Sequence, residues 1–380
     1  MITPKKVLVT GVSGQDGSYM VDYLLANTPH LVFGMVRRTA KPDLSNLSLS
    51  INNPRFQLVV GDLSDTTSID NVVRQIHPDY LINLAAQSFV KSSWDLPEQT
   101  LDVTGIGVVR VLEAVRKHVP HCRVYSAGSS QQWGDVPYSP QDEKHPMRPR
   151  SPYGCAKCLA SHIVKVYRES YNLYAVHAIL ANHESERRGI EFVTRKITLG
   201  VARIAKAIRD GVPFEPLELG SLDAKRDWSH AEDFVDGIWR MINQEQHRQD
   251  WPVWTDTHGT TKEIMVLNHL REYVLASGET HTVRSFVEKA FEIAGIKGLW
   301  SGEGAAEVYI RTREYPKALV GGGCLVSINP AYYRPAEVEL LLGDATRAKT
   351  ELGWSPKVSF DELVKRMVEN DLRNAGVLPQ

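Results

Sequence analysis

The N-terminal stretch reads Val7-Leu8-Val9-Thr10-Gly11-Val12-Ser13-Gly14-Gln15-Asp16-Gly17, a short apolar run followed at once by three spaced glycines. This pattern, continued by the helical spacing of 17–26, is typical of a dinucleotide-binding loop. Gly11 allows the tight turn, Gly14 lets backbone N–H groups approach a pyrophosphate, and Gly17 lets the helix pack closely on the strand. The helix dipole adds a favourable field for an anion. Candidate cofactor residues are therefore Gly11, Ser13, Gly14, Gln15, Asp16 and Gly17.

Further apolar runs alternate with helical patterns along the N-terminal half of the chain. Strands are predicted at 7–9, 31–36, 56–60, 80–84, 123–126 and 174–180, and helices at 103–119 and 153–171. Near-continuous apolar strands separated by helices indicate a parallel sheet covered on both faces. The predicted fold class is α/β, a Rossmann-type doubly wound parallel sheet with a smaller, C-terminal substrate-binding lobe.

The alternation ends after Asn182. Helices are predicted at 231–243, 283–294 and 360–373 and a strand at 272–276, while 300–330 is Gly-rich and is expected to be irregular. We predict a cofactor domain at 1–182 with returning segments near 227–245 and 272–277, and a lobe formed mainly by 183–226 and 278–380. Residues 246–271 show no period and are predicted to be an insertion.

Composition excludes several classes of function. The 380 residues carry a net charge of −1, which gives no bulk attraction to nucleic acid. No apolar run approaches the roughly 20 residues of a membrane span, and no secretory signal is visible, so a cytoplasmic protein without a membrane or nucleic-acid partner is expected. The Cys155-x-x-Cys158 pair lies on a predicted helix without a second Cys or His pair nearby, so no metal site is predicted.

The second strand ends in Val36-Arg37-Arg38-Thr39. An NAD site usually places an acidic residue here to bind the ribose hydroxyls, whereas arginines suit the 2′-phosphate of NADP. Arg37 and Arg38 therefore predict NADP, the alternative being a solvated basic pair. Asp62 and Leu63 follow the third strand and are expected at the adenine.

Tyr153 and Lys157 are one helical turn apart, so the two side chains share a face. A free tyrosine has a pKa of about 10 and is a poor base at pH 7, and a neighbouring ammonium is expected to lower that pKa. A hydroxyl from the preceding loop, Ser129 or Ser130, would bond a substrate hydroxyl. The alternative is a buried core tyrosine beside a surface lysine.

Taken with further motifs along nearly its whole length, the chain resembles the extended short-chain dehydrogenases/reductases and, among these, the GDP-mannose 4,6-dehydratase family. Besides the glycine loop, the N-terminal motifs are Ala85-Ala86-Gln87-Ser88 and Pro149-Arg150-Ser151-Pro152-Tyr153-Gly154. The C-terminal motifs are more specific: Asn182-His183-Glu184-Ser185-Glu186-Arg187-Arg188-Gly189, Phe192-Val193-Thr194-Arg195-Lys196-Ile197, Leu222-Asp223-Ala224-Lys225-Arg226-Asp227-Trp228, Gly278-Glu279-Thr280-His281-Thr282, Tyr333-Arg334-Pro335-Ala336-Glu337 and Leu352-Gly353-Trp354.

The resemblance implies NADP as cofactor, a small-molecule GDP-sugar as substrate and a homo-dimer or homo-tetramer. It implies that NADP contacts Leu84, Ala85, Ala86, Gln87, Ser88, Lys157, His183 and Arg188. It implies that the GDP-sugar contacts Asn182, Lys196, Arg226, Arg334 and Glu337. Cationic side chains are the donors that a diphosphate needs, and a guanidinium binds it with two hydrogen bonds.

The chain departs from the family at one catalytic position. The family loop reads Ser-Thr-Ser-Glu, and the matching residues here are Gly128, Ser129, Ser130 and Gln131. The resemblance implies that Ser129, Tyr153 and Lys157 oxidise C4 of the sugar and that the acid at position 131 then removes the C5 proton and protonates the departing C6 hydroxyl. An amide at Gln131 can do neither. Three functions stay open: a dehydratase that uses another acid, a GDP-hexose 4-epimerase or 4-oxidoreductase that eliminates no water, and a non-catalytic binder of GDP-sugar and NADP.

Overall fold

The computed structural model describes residues 3–244, 270–312, 323–333 and 340–379, together with the backbone of 254–255 and 261–262. The strands of the N-terminal half are β1 Lys6–Thr10, β2 Leu31–Val36, β3 Phe56–Val60, β4 Tyr80–Asn83, β5 Arg123–Ala127, β6 Ala175–Leu180 and β7 Asn182–Glu184. The helices are α1 Gln15–Asn27, α2 Thr66–Ile76, α3 Ser92–Asp95, α4 Pro97–Thr100, α5 Gly107–His118 and α6 Pro152–Tyr171.

In the C-terminal half, the helices are α7 Val193–Asp210, α8 Ala231–Ile242, α9 Val283–Ile293, α10 Thr346–Leu352 and α11 Phe360–Asn374. The strands are β8 Leu217–Leu219, β9 Lys225–Arg226, β10 Trp228–His230, β11 Trp254–Thr255, β12 Thr261–Lys262, β13 Tyr273–Leu275, β14 His281–Thr282, β15 Gly298–Ser301, β16 Val308–Arg311, β17 Cys324–Ile328 and β18 Leu340–Leu341.

Seven parallel strands form the central sheet in the order β13-β6-β5-β4-β1-β2-β3. The direction of winding reverses between β1 and β4, and the crevice outside the carboxyl ends of such strands is where open α/β sheets bind ligands. Helices cover both faces, with α1 and α8 packed together on one side and α2 against α5 on the other. The predicted doubly wound α/β fold is confirmed.

A separate apolar core lies in the C-terminal half. It joins α7, α9 and α11, through side chains such as Val201, Phe286 and Met367, to a four-stranded sheet in the order β15-β16-β17-β8. The expectation that 300–330 is irregular is therefore wrong, because β16 and β17 pair there as antiparallel strands. Several helices were also missed, namely α2, α3, α4, α7 and α10. In α2 and α7 the apolar stripes are interrupted by polar and charged residues.

The segment boundaries differ from the predictions in smaller ways. The predicted helix at 103–119 begins instead as a π-helical turn, Leu101–Ile106, and continues as α5. The strand predicted at 272–276 is β13, which joins the central sheet beside β6. The predicted insertion at 246–271 lies outside the described residues except for β11, β12 and residues 270–271. The division into domains stays a prediction.

The described residues contain neither a membrane-spanning helix nor a metal-binding cluster. None of the helices in these ranges is long and apolar enough to cross a membrane. Within the same ranges, no group of three or more His, Cys, Asp and Glu side chains could hold a metal ion.

Candidate active site

A cavity of about 1050 Å³ lies between the carboxyl edge of the central sheet and the C-terminal half. It brings together residues that are up to 321 positions apart in the sequence, from Gly11 to Tyr332. The sequence-predicted residues that line it are Gly11, Ser13, Gly14, Gln15, Asp16, Gly17, Arg37, Asp62, Leu63, Leu84, Ala85, Ala86, Gln87, Ser88, Ser129, Ser130, Gln131, Tyr153, Lys157, Asn182, His183, Arg188, Lys196 and Arg226.

Three predicted residues are not among them. Arg38 is exposed and, unlike Arg37, does not line the cavity. Arg334 and Glu337 lie outside the described residues.

The glycine loop is packed so tightly that its glycines are required. Gly11 has a φ of +68°, and a Cβ there would lie 2.8 Å from the backbone of Ala85. A Cβ on Gly17 would lie 2.3 Å from the carbonyl oxygen of Gly11. No side chain caps α1 at Gly14, which leaves the positive end of that helix available to an anion. The loop therefore has the shape and the charge of a pyrophosphate cradle.

A partly buried ion pair supports this loop from the side of β7. Nε2 of His183 lies 2.9 Å from a carboxylate oxygen of Asp16, and Nδ1 lies 2.8 Å from the carbonyl oxygen of Ala181. Both partners are acceptors, so both ring nitrogens donate and the imidazole is protonated. Burial opposes ionisation of both groups, but the mutual attraction lowers the pKa of Asp16 to about 2 and raises that of His183.

Tyr153 and Lys157 lie at the start of α6, where Pro152 opens the helix and the Ser151 hydroxyl accepts a hydrogen bond from the N–H of Gly154 at 3.0 Å. The Lys157 ammonium lies 5.7 Å from the centroid of the Tyr153 ring and donates to the carbonyl oxygen of Ala127 at 2.7 Å. Both side chains are buried at the cavity wall.

The protonation of this pair differs from the sequence-based expectation. Burial raises the pKa of Tyr153 to about 12, opposed by a hydrogen bond with Ser129 and by the charge of Arg188. Burial also lowers the pKa of Lys157 to about 8. The prediction that Lys157 lowers the tyrosine pKa is therefore wrong for this structure, since the ammonium bonds a backbone carbonyl and Ser129 and Arg188 supply the opposing interactions.

Gln131 lies in a 3₁₀ turn, Ser130–Gln132, whose geometry is fixed by a second amide. Oε1 of Gln132 accepts hydrogen bonds from the backbone N–H of Ser129 at 2.8 Å and from Nε2 of His177 at 3.1 Å. Burial lowers the pKa of His177 to about 3, which keeps this ring neutral. Gln132 and His177 were not predicted from the sequence, although the glycine at position 128, where the family has serine, was a signal that this loop is packed differently.

Gly128 makes room for this arrangement, because a Cβ there would lie 2.0 Å from the carbonyl oxygen of Ala178 and 2.5 Å from Oε1 of Gln132. We expect Gly128→Ala to lower the free energy of unfolding by about 1–3 kcal/mol, the usual cost of overpacking. The measurement is chemical denaturation beside Gly323→Ala, whose added methyl would have no neighbour closer than 3.6 Å among the described residues. Equal stability of the two variants would contradict the packing argument.

Five carboxylates line the described part of the cavity wall, Asp16, Asp62, Asp95, Glu184 and Glu191. Asp16 is paired with His183, and Asp62 accepts hydrogen bonds from Ser64. Glu184 lies 2.9 Å from Nε of Arg188 and accepts a hydrogen bond from Thr194. Asp95 and Glu191 are exposed. None of the five is therefore a buried, unpaired acid that could replace the one missing at Gln131.

The chain is similar to known proteins over nearly its whole length. A family model described as GDP-mannose 4,6 dehydratase matches residues 8–264 and 245–367. The GDP-mannose 4,6 dehydratase of Drosophila melanogaster is 41% identical over 377 residues, covering 97% of this chain and 86% of the relative. The Homo sapiens protein of the same name is 40% identical over 378 residues, covering 97% and 92%.

Solved structures of other nucleotide-sugar enzymes share the fold. The UDP-glucose 4-epimerase of Thermotoga maritima superimposes with a TM-score of 0.73 at 22% identity, covering 96% of this chain and 98% of that one. The dTDP-glucose 4,6-dehydratase DesIV of Streptomyces venezuelae gives a TM-score of 0.73 at 20% identity, covering 98% of each chain. At these identities the similarity shows the fold alone.

Proposed function

The chain belongs to the GDP-mannose 4,6-dehydratase family, and on that basis we propose that it converts GDP-mannose to GDP-4-keto-6-deoxymannose with NADP. The observation that carries this proposal is the meeting of Ser129, Tyr153 and Lys157 with the glycine loop in one cavity. A non-catalytic binder would have no need of a buried tyrosine and lysine beside a phosphate cradle.

The residues of the cofactor half fit NADP. Gly11 and Gly17 pack too closely against neighbouring backbone to accept a Cβ, which maintains the tight loop that a pyrophosphate requires. Arg37, directly after β2, lines the cavity and is a donor for a 2′-phosphate. We assign the remaining contacts to Asp62 and Leu63 at the adenine and to 84–88, Lys157, His183 and Arg188 around the nicotinamide ribose. Bound NADP would supply the hydride acceptor for the oxidation and the hydride donor for the final reduction.

The protein's own groups account for the first proton transfer. Tyr153, as phenolate, accepts the proton of the C4 hydroxyl while Ser129 orients that hydroxyl by a hydrogen bond. Arg188 stabilises the negative phenolate through its charge, and the hydrogen bond with Ser129 acts in the same direction. Asn182, Lys196, Arg226, Arg334 and Glu337 are assigned to the GDP-sugar.

The chain lacks an acid–base side chain at position 131 for the second half of the reaction. Removing the C5 proton and protonating the C6 hydroxyl require groups that gain and lose protons near pH 7, and the Gln131 amide does not. Such acid–base assistance is worth roughly 10²–10⁴-fold in rate. We therefore propose that oxidation at C4 proceeds normally and that elimination of water is slow.

A second candidate function follows from the same residue. With Gln131 in place, and with no buried, unpaired carboxylate among the described cavity residues, the 4-keto sugar could be reduced again at C4. The chain would then be a GDP-hexose 4-epimerase or 4-oxidoreductase that eliminates no water. The first step, oxidation at C4, is the same in both candidates.

We further propose a homo-dimer or homo-tetramer located in the cytoplasm. Exposed apolar side chains of the 92–106 segment and α6, namely Leu96, Leu101, Ile106 and Val166, support self-association. The four free cysteines, Cys122, Cys155, Cys158 and Cys324, suit a reducing compartment.

A substrate panel tests the proposed function. The purified chain, supplied with NADP, is incubated separately with GDP-mannose, GDP-glucose and UDP-glucose, and nucleotide-sugar consumption is followed by chromatography. We expect GDP-mannose to be consumed fastest and UDP-glucose to be left unchanged. Consumption of UDP-glucose with GDP-mannose untouched would contradict the proposal.

Arg37→Ser tests cofactor choice. We expect it to raise the KM for NADP roughly tenfold or more, because a charge-assisted hydrogen bond to the 2′-phosphate is lost. The KM for NAD, which lacks that phosphate, should change little. Arg38→Ser serves as the matched control, because Arg38 is exposed and does not line the cavity. An equal rise in the KM values for NADP and NAD in Arg37→Ser would refute a 2′-phosphate contact.

A further inference from the structure

We propose that Lys91 is a further substrate-binding residue, which contributes a cation to the diphosphate of the GDP-sugar and is held in place by the ring of Tyr332. This inference rests on the proposed GDP-sugar function. Neither residue belongs to the motifs from which substrate contacts were predicted.

Three segments that are distant in sequence meet at the Tyr332 ring. The ammonium of Lys196, in the first turn of α7, lies 3.5 Å from the ring centroid. The ammonium of Lys91, directly before α3, lies 5.2 Å from the same centroid and donates to the carbonyl oxygen of Ala331 at 3.3 Å. Lys91, Lys196 and Tyr332 all line the cavity, so Lys91 shares its aromatic partner with a residue already assigned to the substrate.

No carboxylate among the described residues neutralises the two lysine charges at the ring. Neither lysine forms an ion pair with a carboxylate in the part of the chain that the structure describes. A cation–π contact at a partly exposed site is weak compared with a charge-assisted hydrogen bond to a phosphate oxygen. The ring therefore holds both ammonium groups at the cavity wall, within 3.5 and 5.2 Å of its centroid, without cancelling their charge.

A diphosphate is the anion that suits this set of cations. Arg226 also lines the cavity, so cationic side chains approach from the loop after β4, from α7 and from β9. A diphosphate carries several negative charges over two phosphorus centres and can bond more than one cation at once. A substrate diphosphate would replace the Tyr332 ring as the partner of both lysines, while the ring limits how far each ammonium must move.

The competing explanation is structural. Through Ala331 and Tyr332, Lys91 could simply hold the loop after β4 against the turn at Pro330–Tyr332. If Lys91 had only this structural role, replacing it would lower the stability of the protein and would weaken the binding of GDP and NADP alike. Lys5 provides a matched control, because its ammonium lies 5.2 Å from the ring centroid of Tyr80 and it does not line the cavity.

The test is calorimetric titration of the full chain with GDP and, separately, with NADP, together with thermal unfolding, for the wild type, Lys91→Met, Lys91→Arg and Lys5→Met. We expect Lys91→Met to raise the Kd for GDP roughly tenfold or more while the Kd for NADP and the Tm stay unchanged. Lys91→Arg keeps the charge and should retain most of the affinity for GDP. Lys5→Met should change neither Kd.

The outcomes separate the two proposals. An unchanged Kd for GDP in Lys91→Met overturns the inference and leaves the proposed function intact. Parallel losses of GDP and NADP affinity with a lower Tm also overturn it, in favour of the structural tie. Absence of GDP binding by the wild type, with NADP still bound, would overturn the proposed GDP-sugar function itself. If Lys91→Met does not fold, the salt dependence of GDP binding in Lys91→Gln gives the same comparison, with a reduced slope expected.

Discussion

Tyr153→Phe should reduce the turnover of GDP-mannose by at least roughly 10²-fold, and by up to about 10⁴-fold, because it removes the group that accepts the C4 hydroxyl proton. The phenol is buried, so water cannot readily take over its role. Since burial raises the pKa of Tyr153 to about 12, its ionisation depends on the interactions with Ser129 and Arg188 inside the cavity. The loss should appear in kcat, and the KM for NADP should remain close to the wild-type value.

Tyr171→Phe is the matched control for this substitution. It lies on the same helix, α6, but its side chain is exposed at the far end and does not line the cavity. We expect wild-type turnover from Tyr171→Phe, measured as initial rates of GDP-mannose consumption. Wild-type turnover from Tyr153→Phe as well would remove Tyr153 from the mechanism.

Gln131→Glu should increase the rate of water elimination by roughly 10²–10⁴-fold, since it restores a group that can take the C5 proton and protonate the C6 hydroxyl. Gln131 lines the cavity, and its backbone N–H already donates to the hydroxyl of Ser129 at 3.2 Å, so the substitution leaves the turn in place. The measurement is the rate at which dehydrated product forms under saturating GDP-mannose and NADP.

The control for this gain is Gln131→Asn, which changes the length of the side chain but keeps an amide. It should show no increase in elimination. If Gln131→Glu is no faster than the wild type, the missing acid is not what limits elimination, and the C5 proton must leave by another route.

Much of the fold could be predicted because the strands carry their own signal. β2 and β3 lie at the predicted residues, and the glycine loop fixes where β1 ends and α1 begins. α7 was missed because its buried stripe, which includes Ile197, Val201 and Ile204, alternates with Arg and Lys on the solvent side. β16 and β17 are short strands flanked by Gly-rich sequence, and only pairing in three dimensions identifies them.

The site could be predicted as a set of residue types but not as an arrangement. The motifs named Tyr153 and Lys157 correctly as neighbours in the cavity, yet their protonation depends on burial and on Ser129, Arg188 and a backbone carbonyl at Ala127. Likewise, the contact of Gln132 with His177 joins positions 45 residues apart. Such partners are set by tertiary packing, which local sequence patterns do not contain.

The most direct test of the central claim is mass spectrometry of the product formed from GDP-mannose and NADP by the wild-type chain in D₂O. We predict a slowly formed product that has lost one water and carries deuterium at C5, because C5 is deprotonated during elimination and reprotonated from solvent. A product of unchanged elemental composition that proves to be a 4-epimer, with no dehydrated species even after prolonged incubation, would contradict the dehydratase assignment and favour the second candidate.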